Sequence, residues 1–314
     1  MRVFVLVVLF FGFLFAKPPH ASIKSSGNVM DLVFKKGLLY AATDNGFIDI
    51  YELNSTKLKQ KIVFEKIKDF TKNLIGAKVY SIDVGKNGEI LCVIQGKSFY
   101  RKLVLIQNGE VKILLNLNKK LMIKKAKFVS ENEVLIALLS NEIILYDIKQ
   151  NAFIYRRGLS HSQFSDFALN EQKNRLACSD ESGNVSIIDV KSGKKLQVLS
   201  GANVDNVYKL DFKGGKILTA GQDRRGILYD LKKGNFHRFD ASFLIYACAL
   251  SKDAKFGALP INENNDIAIF NLKTKKQITL LKGQESTLNS IIFIDENTLV
   301  SGSDDKNIKI WRIK

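Results

Sequence analysis

The stretch LVSGSDDKNIKIW, residues 299–311, places two short apolar runs on either side of a polar turn. The same arrangement recurs along the chain, and Trp311 has counterparts at residues 51, 106, 146, 188, 229 and 270. The five positions 146, 188, 229, 270 and 311 lie 42, 41, 41 and 41 residues apart. A period of this length, with several short strands in each unit, is typical of the four-stranded blades of a propeller. We therefore predict an all-β fold, a seven-bladed β-propeller with four-stranded blades.

One unit is longer than the others. The step from residue 51 to residue 106 is 55 residues, which indicates an insertion of about 14 residues between Phe64 and Lys78. Long insertions in repeat proteins often carry binding. We therefore predict that Glu65–Ala77 lies on the face that holds the turns between second and third strands. Its lysines are candidate contacts to a protein partner: Lys66, Lys68 and Lys72.

The turns between second and third strands are rich in acidic and amide side chains. They include Asp44-Asn45, Asp180-Glu181, Asn264-Asn265-Asp266 and Asp304-Asp305. Hairpin turns favour Asp and Asn for conformational reasons, and a calcium site is the alternative. The corresponding turn at residues 223–225 carries two arginines instead. Because arginine suits carboxylate recognition and interface contacts, Arg224 and Arg225 are further candidate contacts.

The chain ends predict how the ring closes. Lys314 follows the third strand of the last blade, so that blade lacks its outermost strand. We predict that Ala21–Ser26, just before the first inner strand at Val29–Phe34, supplies it and so pairs two exposed strand edges. No linker-like composition divides the chain, and we expect one propeller domain over residues 17–314.

The first 16 residues have the order of a secretory signal. Arg2 precedes an apolar run from Val3 to Phe15, and Ala16 offers a small residue for cleavage. The run is too short to span a bilayer comfortably, since about 20 residues are needed. We predict a signal peptide over residues 1–16 and a periplasmic location. The alternative is an uncleaved membrane anchor.

The formal net charge of +17 comes mainly from lysines spread through strands and turns. The densest cluster, Lys119–Lys127, holds five lysines around apolar residues and is interpreted as a solvated face. Export argues against nucleic acid as a partner, so the charge indicates solubility or attraction to an acidic protein or a membrane surface. The three cysteines, Cys92, Cys178 and Cys248, lie in apolar stretches and are predicted to be buried thiols.

The segment 301–311 resembles the end of a WD40 repeat. The resemblance implies that Asp305 and Trp311 belong to a buried hydrogen-bond network. It also gives His161 a structural role, because His161 stands where the family places the histidine of its Gly-His pair, with Ser160 replacing the glycine. As a pattern, the resemblance covers residues 20–314, and it is sharp only in the last repeat.

No catalytic constellation is evident in the sequence. The histidines are His20, His161 and His237, and no Cys/His spacing suits zinc. We predict a non-enzymatic protein-binding scaffold with no cofactor and no metal. The export signal and lysine-rich blades resemble the NapL family, propeller-type accessory proteins of periplasmic nitrate reductase systems, which implies a partner among those components. The alternatives are an outer-membrane assembly propeller and a metal-dependent propeller hydrolase or lactonase.

Overall fold

The computed structural model describes residues 16–97 and 100–314. The predicted signal peptide lies outside the described residues except for Ala16. The described residues form an all-β structure of seven blades and a small hairpin, with one turn of 3₁₀ helix at Leu117–Lys119. None of the helices in this described part is long and apolar enough to cross a membrane.

Each blade is an antiparallel sheet whose four strands follow one another in the chain, except in the last blade, and they are numbered here in chain order. The N-terminal segment holds β1 (Ala16–Lys17) and β2 (Ala21–Lys24). Blades 1 to 3 and the inserted hairpin comprise β3 (Val29–Lys35), β4 (Leu38–Thr43), β5 (Phe47–Glu52), β6 (Leu58–Val63); the hairpin β7 (Ile67–Lys68), β8 (Leu74–Ile75); β9 (Val79–Val84), β10 (Ile90–Gln95), β11 (Arg101–Gln107), β12 (Glu110–Leu115); β13 (Ile123–Phe128), β14 (Glu133–Leu138), β15 (Glu142–Asp147), β16 (Ala152–Gly158). Blades 4 to 7 comprise β17 (Phe164–Leu169), β18 (Arg175–Asp180), β19 (Val185–Asp189), β20 (Lys195–Leu199); β21 (Val207–Lys213), β22 (Lys216–Gly221), β23 (Arg225–Asp230), β24 (Asn235–Asp240); β25 (Ala249–Leu250), β26 (Phe256–Pro260), β27 (Ile267–Asn271), β28 (Gln277–Leu281); β29 (Leu288–Phe293), β30 (Thr298–Ser303), β31 (Asn307–Arg312). The predicted blade count and strand count are confirmed.

The N-terminal segment closes the ring as predicted. Strand β2 pairs antiparallel with β31, with Ala21 opposite Ile310 and Ile23 opposite Ile308, and becomes the outermost strand of blade 7. The structure adds a contact that the period does not predict. Strand β1 pairs parallel with β28, so the same segment also extends blade 6 to five strands.

The core consists of seven apolar clusters, and each lies between two neighbouring blades. The cluster between blades 7 and 1 combines Ile23, Val29, Leu32 and Val300. Successive side chains of a strand point to opposite faces of the sheet, and in these strands both faces carry apolar residues. The adjacent blades cover them on each side. Packing is therefore distributed around the ring, and the closing interface has a core of the same kind as the others.

The two faces of the ring carry different connections. Because successive strands in a blade are antiparallel, inner strands begin on the same face that holds the turns between second and third strands. We call this the upper face. The segments that join one blade to the next also lie there, including the β7–β8 hairpin. A Cβ atom placed on Gly46, in the second turn of blade 1, would lie 3.0 Å from the nitrogen of Ala77. This contact places the insertion on the predicted face.

Candidate functional site

The mouth of the central channel on the upper face is built by one irregularity repeated in the inner strands. Six of the seven inner strands have a register shift at their second residue. A β-bulge leaves one residue unpaired and turns its side chain to a new direction. The bulged residues all line the cavity at the mouth: Met30, Tyr80, Lys124, Ser165, Tyr208 and Asn289. One bulged side chain from each of these six blades therefore lies at the channel mouth.

The mouth is a cavity of about 350 Å³ lined by basic, aromatic and amide side chains. Lys124 and Lys209 lie in its wall together with Tyr80 and Tyr208. Tyr208 stacks on Tyr246 with ring centroids 4.9 Å apart, and its hydroxyl donates to Gln222 Oε1 at 2.7 Å. The tyrosine rings are therefore held in place beside the lysines.

Two more cations stand behind the wall at Tyr80. The guanidinium of Arg101 lies 3.6 Å from the Tyr80 ring centroid, and the ammonium of Lys78 lies 5.9 Å from the same centroid. Arg101 donates to the Ile123 carbonyl at 2.8 Å, but its Nε is buried without a hydrogen-bond partner among the described residues. Burial lowers the pKa of Arg101. These cations enrich the mouth in positive charge.

The positive charge of the mouth affects the pKa of Lys124. Its enclosure by the walls lowers the pKa of its ammonium, and the charges of Lys209 and Arg101 lower that pKa further, against an opposing effect of Asp166. Within the described residues, neither Lys124 nor Lys209 has a carboxylate within 4.0 Å of its ammonium. Glu181 is the acidic residue that lines the mouth, and one of its oxygens accepts from the Gln163 backbone. The mouth therefore carries more positive than negative charge.

Below the mouth, aspartates on four inner strands join their blade to the next one. The carboxylate of Asp31 accepts from the Ile82 backbone at 3.1 Å, and that of Asp83 accepts from Phe128 at 2.8 Å. Asp166 and Asp211 repeat this contact with the backbones of Leu210 and Leu250, at 3.2 and 2.8 Å. These acidic groups act structurally, because each satisfies an amide of the neighbouring inner strand.

Lysines in the channel lie within salt-bridge distance of three of these aspartates, and one of them is Lys213, 2.9 Å from Asp211. Lys125 lies 2.7 Å from Asp166, and Lys127 lies 3.7 Å from Asp31. The interpretation of Lys119–Lys127 as a solvated face is therefore wrong for Lys125 and Lys127. The local composition is polar, but the ring brings the inner strand of blade 3 to carboxylates of other blades. Lys119 and Lys120 do lie exposed.

The inserted hairpin presents an aromatic side chain to solvent. Phe70 at its tip is 98% exposed. The tip is ordered by Asp69, whose carboxylate accepts from the Thr71 hydroxyl at 2.7 Å and from the Asn73 backbone at 2.9 Å. These hydrogen bonds lower the pKa of Asp69. An exposed phenylalanine on an ordered tip is unusual for a purely structural turn, because burial of such a ring stabilises a protein by about 1.5–3 kcal/mol.

The candidate contact residues are all on the upper face but do not form one cluster. Lys66, Lys68 and Lys72 lie exposed on the hairpin between blades 1 and 2, whereas Arg224 and Arg225 belong to the turn of blade 5. Arg224 is exposed. Arg225 is partly buried, since its Nη1 donates to the Ala202 carbonyl at 3.4 Å and its Nε lies 3.9 Å from Asp223. Arg225 therefore holds its own turn, and Arg224 is the arginine that is free to face a partner.

Other exposed apolar side chains lie on upper-face connections. They are more than a third exposed and belong to the hairpin or to the segments that join blades: Leu74, Met122, Val204 and Phe243. The residues at the mouth and these apolar side chains were not predicted from the sequence. The available signal was a Tyr or Lys after the first apolar residue of three inner strands, at Tyr80, Lys124 and Tyr208.

The last blade contains the buried network that the WD40 resemblance implies. Trp311 Nε1 donates to the Ser301 hydroxyl at 2.9 Å, and that hydroxyl donates to Gln284 Oε1 at 2.8 Å. Gln284 Nε2 donates to Ser303 at 2.6 Å, and Ser303 donates to Asp305. The network thus connects Trp311 to Asp305 through a glutamine. Sequence analysis missed Gln284, although Gly283 before it marks the place of the Gly-His pair.

His161 does not take part in the corresponding network of blade 4. It is exposed, and its side chain makes no hydrogen bond within the described residues. Asp180 instead accepts from the Ser160 hydroxyl at 2.8 Å and from the Asn141 amide at 3.2 Å. The structural role predicted for His161 is therefore filled by Ser160 and Asn141, because these shorter polar groups already saturate the Asp180 carboxylate.

Replacement of Gln284 tests the network. We expect Gln284→Ala to lower the free energy of unfolding by about 1–3 kcal/mol, because buried hydroxyls of Ser301 and Ser303 lose their partner. Urea denaturation followed by Trp311 fluorescence measures the change. Gln150→Ala is the matched control, since Gln150 is exposed. Equal stability of the two variants would contradict a structural role for the network.

The acidic turns and the cysteines have local structural explanations. Asp44 accepts from Asn28, and Asp266 accepts from Asn262, within their own turns and connections. Across the described residues, no group of three or more His, Cys, Asp or Glu side chains is arranged to hold a metal ion. Burial raises the pKa of the thiols. The prediction that the cysteines are buried is confirmed: Cys92, Cys178 and Cys248.

Comparison with known proteins agrees with this architecture. The family model described as WD domain, G-beta repeat matches residues 275–312. A solved structure, the β-propeller domain of Cps50 (Swd1) from Myceliophteria thermophila, aligns with a TM-score of 0.74 at 16% identity, over 94% of this chain and 99% of that chain. At this identity the likeness defines the fold. The protein is thus a seven-bladed β-propeller, and the segment that matches the WD repeat runs from the outer strand of blade 6 through the first three strands of blade 7. Neither match names a nitrate reductase system, so the resemblance to the NapL family stays a prediction.

Proposed function

We propose that this protein is a periplasmic scaffold that binds a protein partner through its upper face. The observation that carries the proposal is Phe70, which stands almost fully exposed on an ordered hairpin inserted into an otherwise regular ring. Aromatic side chains that enter a partner's pocket contribute most to many interfaces. The exposed lysines of the hairpin surround this anchor with polar contacts, which suits the rim of an interface. Arg224 is a separate exposed cation on the same face, at blade 5.

The finer part of the proposal is that the partner belongs to a periplasmic nitrate reductase system and that the scaffold assists its maturation or activity. The signal pattern of residues 1–16 supports a periplasmic location, and the resemblance to the NapL family supports this class of partner. The fold itself hosts many functions, so partner identity has to come from experiment.

Affinity capture from periplasmic extract tests the proposal. The tagged protein is used as bait, and mass spectrometry identifies what is retained. Recovery of nitrate reductase subunits supports the finer proposal, and recovery of outer-membrane assembly components would replace it. Metal analysis of the same preparation tests the enzyme alternative, because stoichiometric calcium or zinc would favour a metal-dependent hydrolase.

A substitution at the hairpin tip is expected to abolish most of the capture. For Phe70→Ser we expect the amount of partner retained to fall about tenfold, since truncation of an aromatic anchor commonly costs more than about 1–2 kcal/mol of binding free energy. Phe236→Ser is the control, because Phe236 is 55% exposed on the outermost strand of blade 5, away from the upper face. Quantitative mass spectrometry compares the two. Equal losses, or none at Phe70, would contradict the proposed surface.

A further inference from the structure

The channel mouth on the upper face offers a second, chemically distinct feature. Four cations from three blades lie at or behind its wall: Lys78, Arg101, Lys124 and Lys209. Surface lysines usually point into bulk water, where repulsion is screened within about 10 Å. Here a bulge places Lys124 in the lining of the cavity, where it remains exposed to water but close enough to Lys209 and Arg101 for their charges to act on it.

The cations are not explained by the packing of the propeller. Lys125 and Lys127 deeper in the channel have carboxylate partners, but Lys124 and Lys209 have none within the salt-bridge distance in the described part of the chain. Arg101 Nε is buried and unpaired there as well. Like charges held close together destabilise a fold by mutual repulsion unless opposite charges are bound beside them. Anionic groups entering the cavity would relieve this cost.

The arrangement suits a chain with several carboxylates better than one compact anion. The cations are spread over blades 2, 3 and 5, and tyrosine rings stand among them. A single phosphate or sulfate is clasped by groups that converge on one point. Dispersed cations with intervening aromatic faces instead match an extended segment, whose backbone and apolar groups can contact the Tyr80 and Tyr208 rings.

We propose that the channel mouth binds an acidic peptide segment of the protein partner, with Lys124 and Lys209 contacting its carboxylates. This inference rests on the proposed function, since it assigns a chemical class to part of the partner. It is separate from the hairpin in its residues and in its chemistry. The hairpin supplies an apolar anchor, and the mouth supplies recognition of charge.

The test uses octaglutamate labelled with tetramethylrhodamine, and fluorescence anisotropy with the full mature chain measures its dissociation constant. Octaglutamine with the same label is the neutral control. Lys124→Glu is compared with Lys112→Glu, which makes the same charge change at an exposed residue of the outermost strand of blade 2. We expect Lys124→Glu to weaken octaglutamate binding about tenfold or more, because charge-assisted hydrogen bonds are lost and repulsion replaces them. Lys112→Glu should change it by less than about twofold, as a distant screened charge.

A failure to bind octaglutamate would overturn the proposal, and so would any of three further results. Equal weakening by both variants would show that only net charge matters. Equal binding of octaglutamate and octaglutamine would show that the mouth does not read carboxylates. Citrate that binds more tightly than octaglutamate, in a manner dependent on Lys124, would assign the site to a small free anion. Unaltered melting curves of both variants ensure that folding is not the cause. If octaglutamate does not bind while Phe70-dependent capture of a partner persists, the acidic-peptide site is refuted and the proposed scaffold stands. If octaglutamate binds but no partner is captured, the channel mouth recognises carboxylates and the proposed scaffold is refuted.

Discussion

Removal of residues 17–26 is expected to lower the melting temperature by about 8 °C, since a loss of about 5 kcal/mol is divided by an unfolding entropy of roughly 0.6 kcal/mol/K for a chain of about 300 residues. The segment supplies Lys17 of β1 and all of β2, and it buries Ile23 in the core between blades 7 and 1. It also provides Ser26, whose backbone and hydroxyl donate to the fully buried Asp49 at 2.7 and 2.9 Å. The shortened protein would expose the β31 edge and leave Asp49 with fewer donors.

Calorimetry of the full mature chain and of a variant beginning at Gly27 measures this effect. A synthetic peptide spanning residues 17–26 should restore part of the lost stability, because it can pair again with β31. Lys24→Ala, an exposed position of the same strand, should shift the midpoint little. An unchanged melting curve for the shortened protein would refute closure by this segment.

Asp166→Asn is the substitution for which we expect the second-largest effect, a loss of about 3–5 kcal/mol of unfolding free energy. The carboxylate is 4% exposed, accepts from Lys125 at 2.7 Å and also accepts from the Leu210 backbone. Its replacement leaves the Lys125 ammonium, which is 16% exposed, without a carboxylate at ion-pair distance, although the charges of Asp31 and Asp211 still act on it from farther away. Guanidinium denaturation compares this variant with Asp240→Asn. Asp240 pairs with Arg238 at 2.8 Å on the surface, and loss of such an exposed pair costs less than about 1 kcal/mol.

The contribution of Asp166 should also depend on pH in a defined direction. Burial alone would raise the pKa of Asp166, but the charges of Lys125 and Lys209 outweigh it and hold that pKa below its usual range. A carboxyl with a lowered folded-state pKa stabilises the protein above its unfolded pKa of about 3.9, and this stabilisation is lost as pH falls through the folded pKa. The stability gap between wild type and Asp166→Asn should therefore narrow below about pH 4. A gap that is constant with pH would contradict the ion pair.

Most of the fold could be predicted from the repeat period of the sequence. Spacing of the positions equivalent to Trp311 predicted the blades, the surplus of residues between Phe64 and Lys78 predicted the insertion, and the missing outer strand predicted β2. These features depend on sequence-local strands and on counting, which a single sequence supplies. Strand β1 was not predicted, because two residues that add to an edge in parallel leave no pattern.

The channel mouth could not be predicted from the sequence, because it is formed by contacts between residues that belong to different blades. Lys125 and Asp166 are 41 residues apart and meet only because the ring places consecutive inner strands side by side. Local composition around Lys119–Lys127 therefore suggested a solvated face where the structure has a channel wall. The bulges that turn Tyr80, Lys124 and Tyr208 into the mouth are backbone irregularities, and residue type alone does not reveal them. The sequence pattern does not mark Gln284, because the WD40 family has a histidine at that place.

The central claim is that the upper face, through its hairpin, contacts a protein partner. Site-specific photo-crosslinking in cells tests it most directly, with p-benzoylphenylalanine placed at position 70 in one strain and at position 236 in another. Both positions hold exposed phenylalanines, but only Phe70 lies on the hairpin. We expect a discrete covalent adduct with one protein from position 70 and none from position 236. An adduct from position 236 alone, or none from either position, would contradict the claim.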